Sequence, residues 1–160
     1  MWRIMRGSAA LMLGALLLVG CAAQRTATPE SMRHEARYTY DGISDARIFS
    51  AVRAWVLQHC SWDGDILQFE DAQQHTLMAR GSWERATEYA PMIEVDIEYT
   101  LSVDIEKGEV YYELSRLAAM APEDGEEMTF FSNSEKFHDD AEKRFQSMLT
   151  ALDAEVQAQK

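Results

Sequence analysis

The stretch IEVDIEYTLSVDI, residues 93–105, alternates without a break: Ile93, Val95, Ile97, Tyr99, Leu101, Val103 and Ile105 on one parity, Glu94, Asp96, Glu98, Thr100, Ser102 and Asp104 on the other. Successive side chains of a strand point to opposite faces, so this pattern predicts a long strand with one face in a core and one in water. A slip of one residue would bury every acid, which makes the register strongly specified. Lys107-Gly108 follows as a turn. Residues 110–117 then return, with Val110, Tyr112 and Leu114 on one side and Tyr111, Glu113 and Ser115 on the other. Upstream, residues 66–69 and 77–83 read as two more strands, forming a hairpin around the polar run 71–75.

An apolar sheet face needs cover, and two amphipathic segments are available. Residues 44–60 (SDARIFSAVRAWVLQHC) repeat apolar side chains at helical spacing: Phe49, Val52, Val56 and Cys60, with Ile48 and Trp55 alongside. Ser44 is a candidate N-cap, Asp45 places negative charge in the first turn, and Ile43 with Ile48 fits a hydrophobic staple. Residues 118–131 form a loop with an acidic tip at 123–127. Ser132 and Glu135 then read as a capping box that opens a second helix, running to about Gln157. Its apolar stripe is Phe137, Ala141, Phe145, Met148, Leu149, Leu152 and Val156. The expected fold is α+β: helix, four strands, helix, with an antiparallel four-stranded sheet and both helices on one face.

The N-terminal part reads differently. Arg3 and Arg6 precede an apolar run of eleven residues, 9–19. That is the length of a signal-peptide core and too short to cross a bilayer as a helix. Leu18-Val19-Gly20-Cys21 follows and resembles the lipobox of bacterial lipoproteins. This resemblance implies a signal peptide over residues 1–20, cleavage between Gly20 and Cys21, and lipid on the Cys21 thiol. It also implies attachment to a membrane through that lipid. Ala22 matches the default pattern for the outer membrane facing the periplasm. Residues 21–37 then serve as the lipidated N-terminus and a flexible tether, and residues 38–160 as one α+β domain. Cys60 is left as the one remaining thiol, at the end of an apolar helical face, where a buried and inert state is expected. His59 is its neighbour, but adjacent helical residues point about 100° apart, so the two do not form a nucleophile–base pair.

With these elements in place, residues 43–117 resemble the family catalogued as domain of unknown function 4468, described as having a fold like that of the TATA-binding protein. The resemblance is carried by the helix IFSAVRAWV, the strand-and-turn LQFEDAQQHTLMARGS and the strand pair YTLSVDIEKGEVYYEL. Its marker positions are Trp55, Asp71, Gly81, Tyr99-Thr100-Leu101 and Lys107-Gly108. The turn after Asp71 reads Gln-Gln-His where Gly is expected. Glu109, Val110 and Tyr111 stand where basic residues are expected. The family implies a fold and an envelope setting, and it implies no reaction.

The formal net charge of −12 makes nucleic acid a poor partner, because an acidic body repels phosphate. The four histidines (34, 59, 75 and 138) lack the spacing of a zinc site. The acidic loop lacks the spacing of an EF-hand. No nucleophile elbow, P-loop or dinucleotide fingerprint occurs. No cofactor, metal or catalytic residue is therefore expected, and the chain reads as non-enzymatic. The water-facing parity of the long strand is the candidate partner-binding face: Glu94, Asp96, Glu98 and Asp104, extended by Tyr111 and Glu113. Its expected partner is a periplasmic protein or peptide. Two other readings stay open: a small-molecule carrier or enzyme with a pocket between helices and sheet, and a purely structural envelope lipoprotein.

Overall fold

The computed structural model describes residues 33–121 and 125–160. The expected signal peptide, Cys21, most of the tether, and Pro122, Glu123 and Asp124 of the acidic loop lie outside the described residues. The element order is β1 (His34–Thr39), α1 (Asp45–His59), β2 (Leu67–Asp71), β3 (Thr76–Ala90), β4 (Ile93–Glu106), β5 (Glu109–Met120), α2 (Thr129–Ser132) and α3 (Glu135–Gln157). One antiparallel sheet has the order β1-β5-β4-β3-β2. Among the described residues no helix is long and apolar enough to cross a membrane.

The α+β class and the antiparallel sheet agree with the sequence, but the sheet has five strands, not four. The extra strand, β1, takes in residues 34–37, which were expected to be tether. Its pairing explains why: residues 34–39 run along β5 from His34 opposite Leu114 to Thr39 opposite Glu109. Ala36 and Tyr38 pack against the core while Glu35 and Arg37 face out. β4 follows its alternation from Val95 to Ile105, where every odd residue is buried, but Ile93, expected on the same face, is exposed next to the hairpin turn, and Thr100, expected in water, is buried. Its return through Lys107-Gly108 has positive φ at both turn residues, 56° and 79°. That is the hairpin turn whose twist matches the strands it joins. The Asp45 carboxylate accepts both turn amides, Lys107 N–H at 2.9 Å and Gly108 N–H at 2.7 Å. Asp45 therefore ties the start of α1 to the β4–β5 turn. Ser44 sits at the N-cap position but makes no side-chain cap.

Both long helices cover the same sheet face. Ile48, Phe49, Val52 and Val56 of α1 share one core with Phe145, Met148, Leu149, Leu152 and Val156 of α3. The capping box at Ser132 is corrected. Ser134 is the N-cap of α3, accepting Phe137 N–H at 3.2 Å. Ser132 instead closes the short α2 and accepts Ala119 N–H at 2.8 Å. Two nearby serines offered the same local signal, and the contact of α2 with β5 selects between them.

Two bulges with a positive-φ residue interrupt the sheet, besides the shorter register shifts at Leu67/Phe69 and Glu88/Ala90. In β3, residues 84–86 oppose only Asp96, since Trp83 pairs with Ile97 and Thr87 with Val95. In β5, Arg116 and Leu117 oppose only Tyr99. Arg85 and Arg116 carry the positive φ, 46° and 52°. Beyond them a second, smaller core forms from Val95, Ile97, Ala119, Phe131, Phe137 and Ala141. The first bulge also explains why β3 runs past the expected end at Trp83: it breaks the alternation, not the strand. Gly81 is required by close approach, because a Cβ there would lie 2.4 Å from the Tyr99 ring, which packs on Trp83.

Candidate functional site

The sheet face opposite the helices lies open. Its rows follow from the register: Thr76, Asp104, Tyr111 and Arg37 lie side by side, as do Met78, Ser102, Glu113 and Glu35, and then Arg80, Thr100 and Ser115. Two concavities mark it. One, of about 630 Å³, lies at the Lys107 end and includes Arg37, Gln74, Asp104, Glu109 and Tyr111 in its lining. The other, of about 390 Å³, lies mid-sheet against Arg33, Met78, Thr100, Glu113 and Arg116. Of the six residues expected to form the face, Glu98, Asp104, Tyr111 and Glu113 meet on it.

Glu94 and Asp96 have another task. Asp96 Oδ1 accepts Arg85 N–H at 2.7 Å, and Glu94 pairs with the Arg85 guanidinium at 3.4 Å. Together they hold the β3 bulge. An isolated acidic stripe is not what a partner would meet, because arginines from other strands interleave with it. Arg80 lies 3.7 Å from Glu98 and stacks over Trp62; Arg33 lies 3.4 Å from Glu113. Asp104 accepts the Thr76 hydroxyl at 2.9 Å. Burial, with Glu35 and Glu113 beside it, pushes the Tyr111 phenol up, so it stays a neutral donor at physiological pH. The face is of mixed sign, with a hydroxyl-bearing aromatic, Tyr111, toward its Lys107 end. The arginines were missed because a strand's neighbours are set by pairing, which one strand's pattern does not disclose. The faint signal for Arg33 and Arg37 was the short alternation His34-Glu35-Ala36-Arg37-Tyr38.

The histidines are redistributed. His34, expected in the tether, stands on β1 with its Nδ1 2.5 Å from Glu142 and its ring centroid 6.1 Å from that of His138. Buried Nε2 of His34 and both ring nitrogens of His138 have no hydrogen-bond partner. His59 Nδ1–H donates to the Trp55 carbonyl, 2.9 Å away, and the ring stacks on Trp55, so it serves no thiol. His75 holds the β2–β3 turn at φ 54°, where Asp71 accepts the Gln73 and Gln74 amides; this is how the turn forms without Gly. Cys60 is buried and free, as expected. Burial pushes its thiol up, and the Tyr99 hydroxyl at 3.5 Å only partly counters that. A raised pKa keeps the sulfur protonated and unreactive. Among the described residues no three His, Cys, Asp or Glu side chains are grouped to hold a metal ion. A small cavity of about 220 Å³ lies between β5, α2 and α3, against Arg116, Thr129, Ser132, Asn133 and His138.

Comparison with known proteins agrees with this architecture. Crystal structures of two proteins are among those that share the fold. A TBP-like protein from Parabacteroides distasonis aligns over 78% of this chain and 92% of its own, at 12% identity and a TM-score of 0.61. A DUF4468 family protein from Bacteroides ovatus aligns over 84% of this chain and 89% of its own, at 14% identity and a TM-score of 0.53. No curated protein matches the sequence. A family model matches residues 36–119, from β1 into β5, and the chain accordingly belongs to the family described as a domain of unknown function (DUF4468) with TBP-like fold.

Proposed function

We propose that this protein is a lipid-anchored envelope lipoprotein whose domain binds a periplasmic protein or peptide on its open sheet face, without catalysis. The observation that carries this reading is the face itself: five strands wide, uncovered by either helix, with two concavities and paired charges of both signs around Tyr111. Charges arranged in this way favour register and partner choice over raw affinity. An aromatic with a polar tip is a common anchor at such surfaces. The anchoring part rests on the Leu18-Val19-Gly20-Cys21 motif and the apolar run before it. The test is in-cell crosslinking of the lipidated protein, comparing the native chain with Asp104→Lys and Tyr111→Ala. Both substitutions leave the Arg85 bulge intact, whereas changes at Glu94 or Asp96 would disturb the fold. A defined envelope partner captured by the native chain and lost in both variants is the expected result. Undiminished capture by both variants would rule out this face.

A second reading, a small-molecule carrier, would use the cavity between β5, α2 and α3, which at about 220 Å³ has room for a small polar ligand only. Partner capture that is unaffected by the face variants, together with a thermal shift on small-molecule screening that Asn133→Ala abolishes, would favour it instead, since Asn133 lines this cavity and not the open face.

A further inference from the structure

The β3–β4 hairpin ends in Tyr89-Ala90-Pro91-Met92-Ile93, five residues without a charge. Three of them are large, apolar and exposed: Tyr89 at 41%, Met92 at 93% and Ile93 at 48%. Phe130 is 70% exposed, and the residue after it, Phe131, packs edge-on against Tyr89 with centroids 5.3 Å apart, which brings α2 to this end of the hairpin. Met92 also adopts φ 67°, a turn position that favours Gly or Asn. A nearly bare methionine in a conformation better suited to glycine has no folding rationale within the monomer. Scattered apolar residues need no explanation, but a cluster at one tip does.

The topology says what lies at that end. β1 runs parallel to β4, since each is antiparallel to β5, and His34 is level with Leu101 through Leu114. The chain therefore enters β1 from the side of Ile93. From Leu101 to Ile93 is roughly 26 Å along the strand. The chain from Cys21 to His34 can reach roughly 43 Å when extended. The lipid site and the apolar tip can thus share one plane, while the Lys107 turn points away from it.

We propose that the tip formed by Tyr89, Met92, Ile93 and Phe130 seats in the surface of the same bilayer that holds the Cys21 lipid; this rests on the anchoring part of the function proposed above. The tip alone is too small to recruit the protein. Tethering makes its contact intramolecular, so a weak apolar interaction is sufficient to orient the domain. Glu88 and Glu94 flank the tip, which favours a zwitterionic over an anionic surface. The strands then stand away from the membrane, and the open sheet face looks sideways along it.

The test uses the mature lipidated chain in phosphatidylcholine vesicles, with a nitroxide at Met92→Cys or, as the control at the opposite end of the sheet, Glu106→Cys. Cys60 is buried and does not label. Mass spectrometry first establishes whether Cys21 carries lipid. The expected result is that the label at 92 loses accessibility to an aqueous nickel relaxant and gains it to oxygen, while the label at 106 shows the reverse. Equal nickel accessibility at both sites overturns the proposal and leaves the anchor standing. Protection at 92 from nickel and oxygen alike means that protein covers the tip, and also overturns it. An unlipidated Cys21 in the mature chain overturns both the anchor and the seating that rests on it.

Discussion

Asp140 and His138 stand two residues apart on α3, yet their surroundings differ in kind. Asp140 accepts from the Thr87 hydroxyl at 2.7 Å, from Lys136 at 2.6 Å and from Lys143 at 3.0 Å, which clamps α3 to the bulged end of β3. Burial pushes its carboxyl up, but these three donors outweigh burial and bring its pKa down to about 2. His138 meets β1 instead, beside His34 and Glu142. Burial pushes its imidazole below the ordinary value; the Ser132 carbonyl acts on it without reaching hydrogen-bond geometry, and His34 adds to the depression. Both sites join α3 to a strand. One is fully hydrogen-bonded and stabilises the contact. The other leaves three buried nitrogens unpaired, a state that costs free energy and makes the contact sensitive to protons.

This contrast can be broken from either side. The largest effect is expected from Asp140→Ala, which strands the buried Thr87 hydroxyl beside the Lys136 ammonium: a loss of about 1–3 kcal/mol at neutral pH, read as a lower urea midpoint with unchanged slope. Asp140→Asn sharpens the same point. A carboxyl depressed from 3.8 to about 2 contributes stability that is complete above pH 4 and lost as pH falls toward 2. The native acid-unfolding limb between those values should therefore flatten in the variant. Thr87→Val removes one arm of the clamp and should cost about 1 kcal/mol.

On the other side, His138→Phe removes two unpaired nitrogens without opening a cavity, and should leave stability at pH 8 unchanged or raised by less than about 1 kcal/mol. The pH series is the sharper measurement. With its folded pKa lowered, His138 takes up its proton later than in the unfolded chain, so native stability falls as pH drops below about 6.5. The charged and titratable groups facing it are His34 across the β1 contact, and Asp139 and Glu142 on its own helix. A native chain as flat as His138→Phe between pH 7 and 5 would count against a buried neutral imidazole. The smallest effect belongs to Lys143→Ala, a urea midpoint indistinguishable from the native one, because that ammonium is exposed and Asp140 keeps its other donors.

The same division runs through what could be read in advance. β4 and both apolar helix stripes were legible because burial imposes a period, and a period survives in one dimension. β1 was not, since Ala36 and Tyr38 are its only core residues and three alternations beside a polar leader carry little signal. The bulges at Arg85 and Arg116 had no local mark, because both place a non-glycine residue at positive φ. Of the candidate face, Glu98, Asp104, Tyr111 and Glu113 were foreseen. Their arginine neighbours were not, and neither was the diversion of Glu94 and Asp96 to the Arg85 bulge.

By itself, the sequence determined which face of each element is apolar, the α+β class, the two turns at Asp71 and Lys107-Gly108, and a buried Cys60. These follow from hydrophobic period and local backbone chemistry, which act between residues close along the chain. Only the tertiary structure decided the fifth strand, the choice of Ser134 over Ser132 as cap, the meeting of His34 with His138, and the mixed charge of the open face. Each of these depends on which distant segments are brought side by side, and the energy of such a pairing belongs to both partners at once.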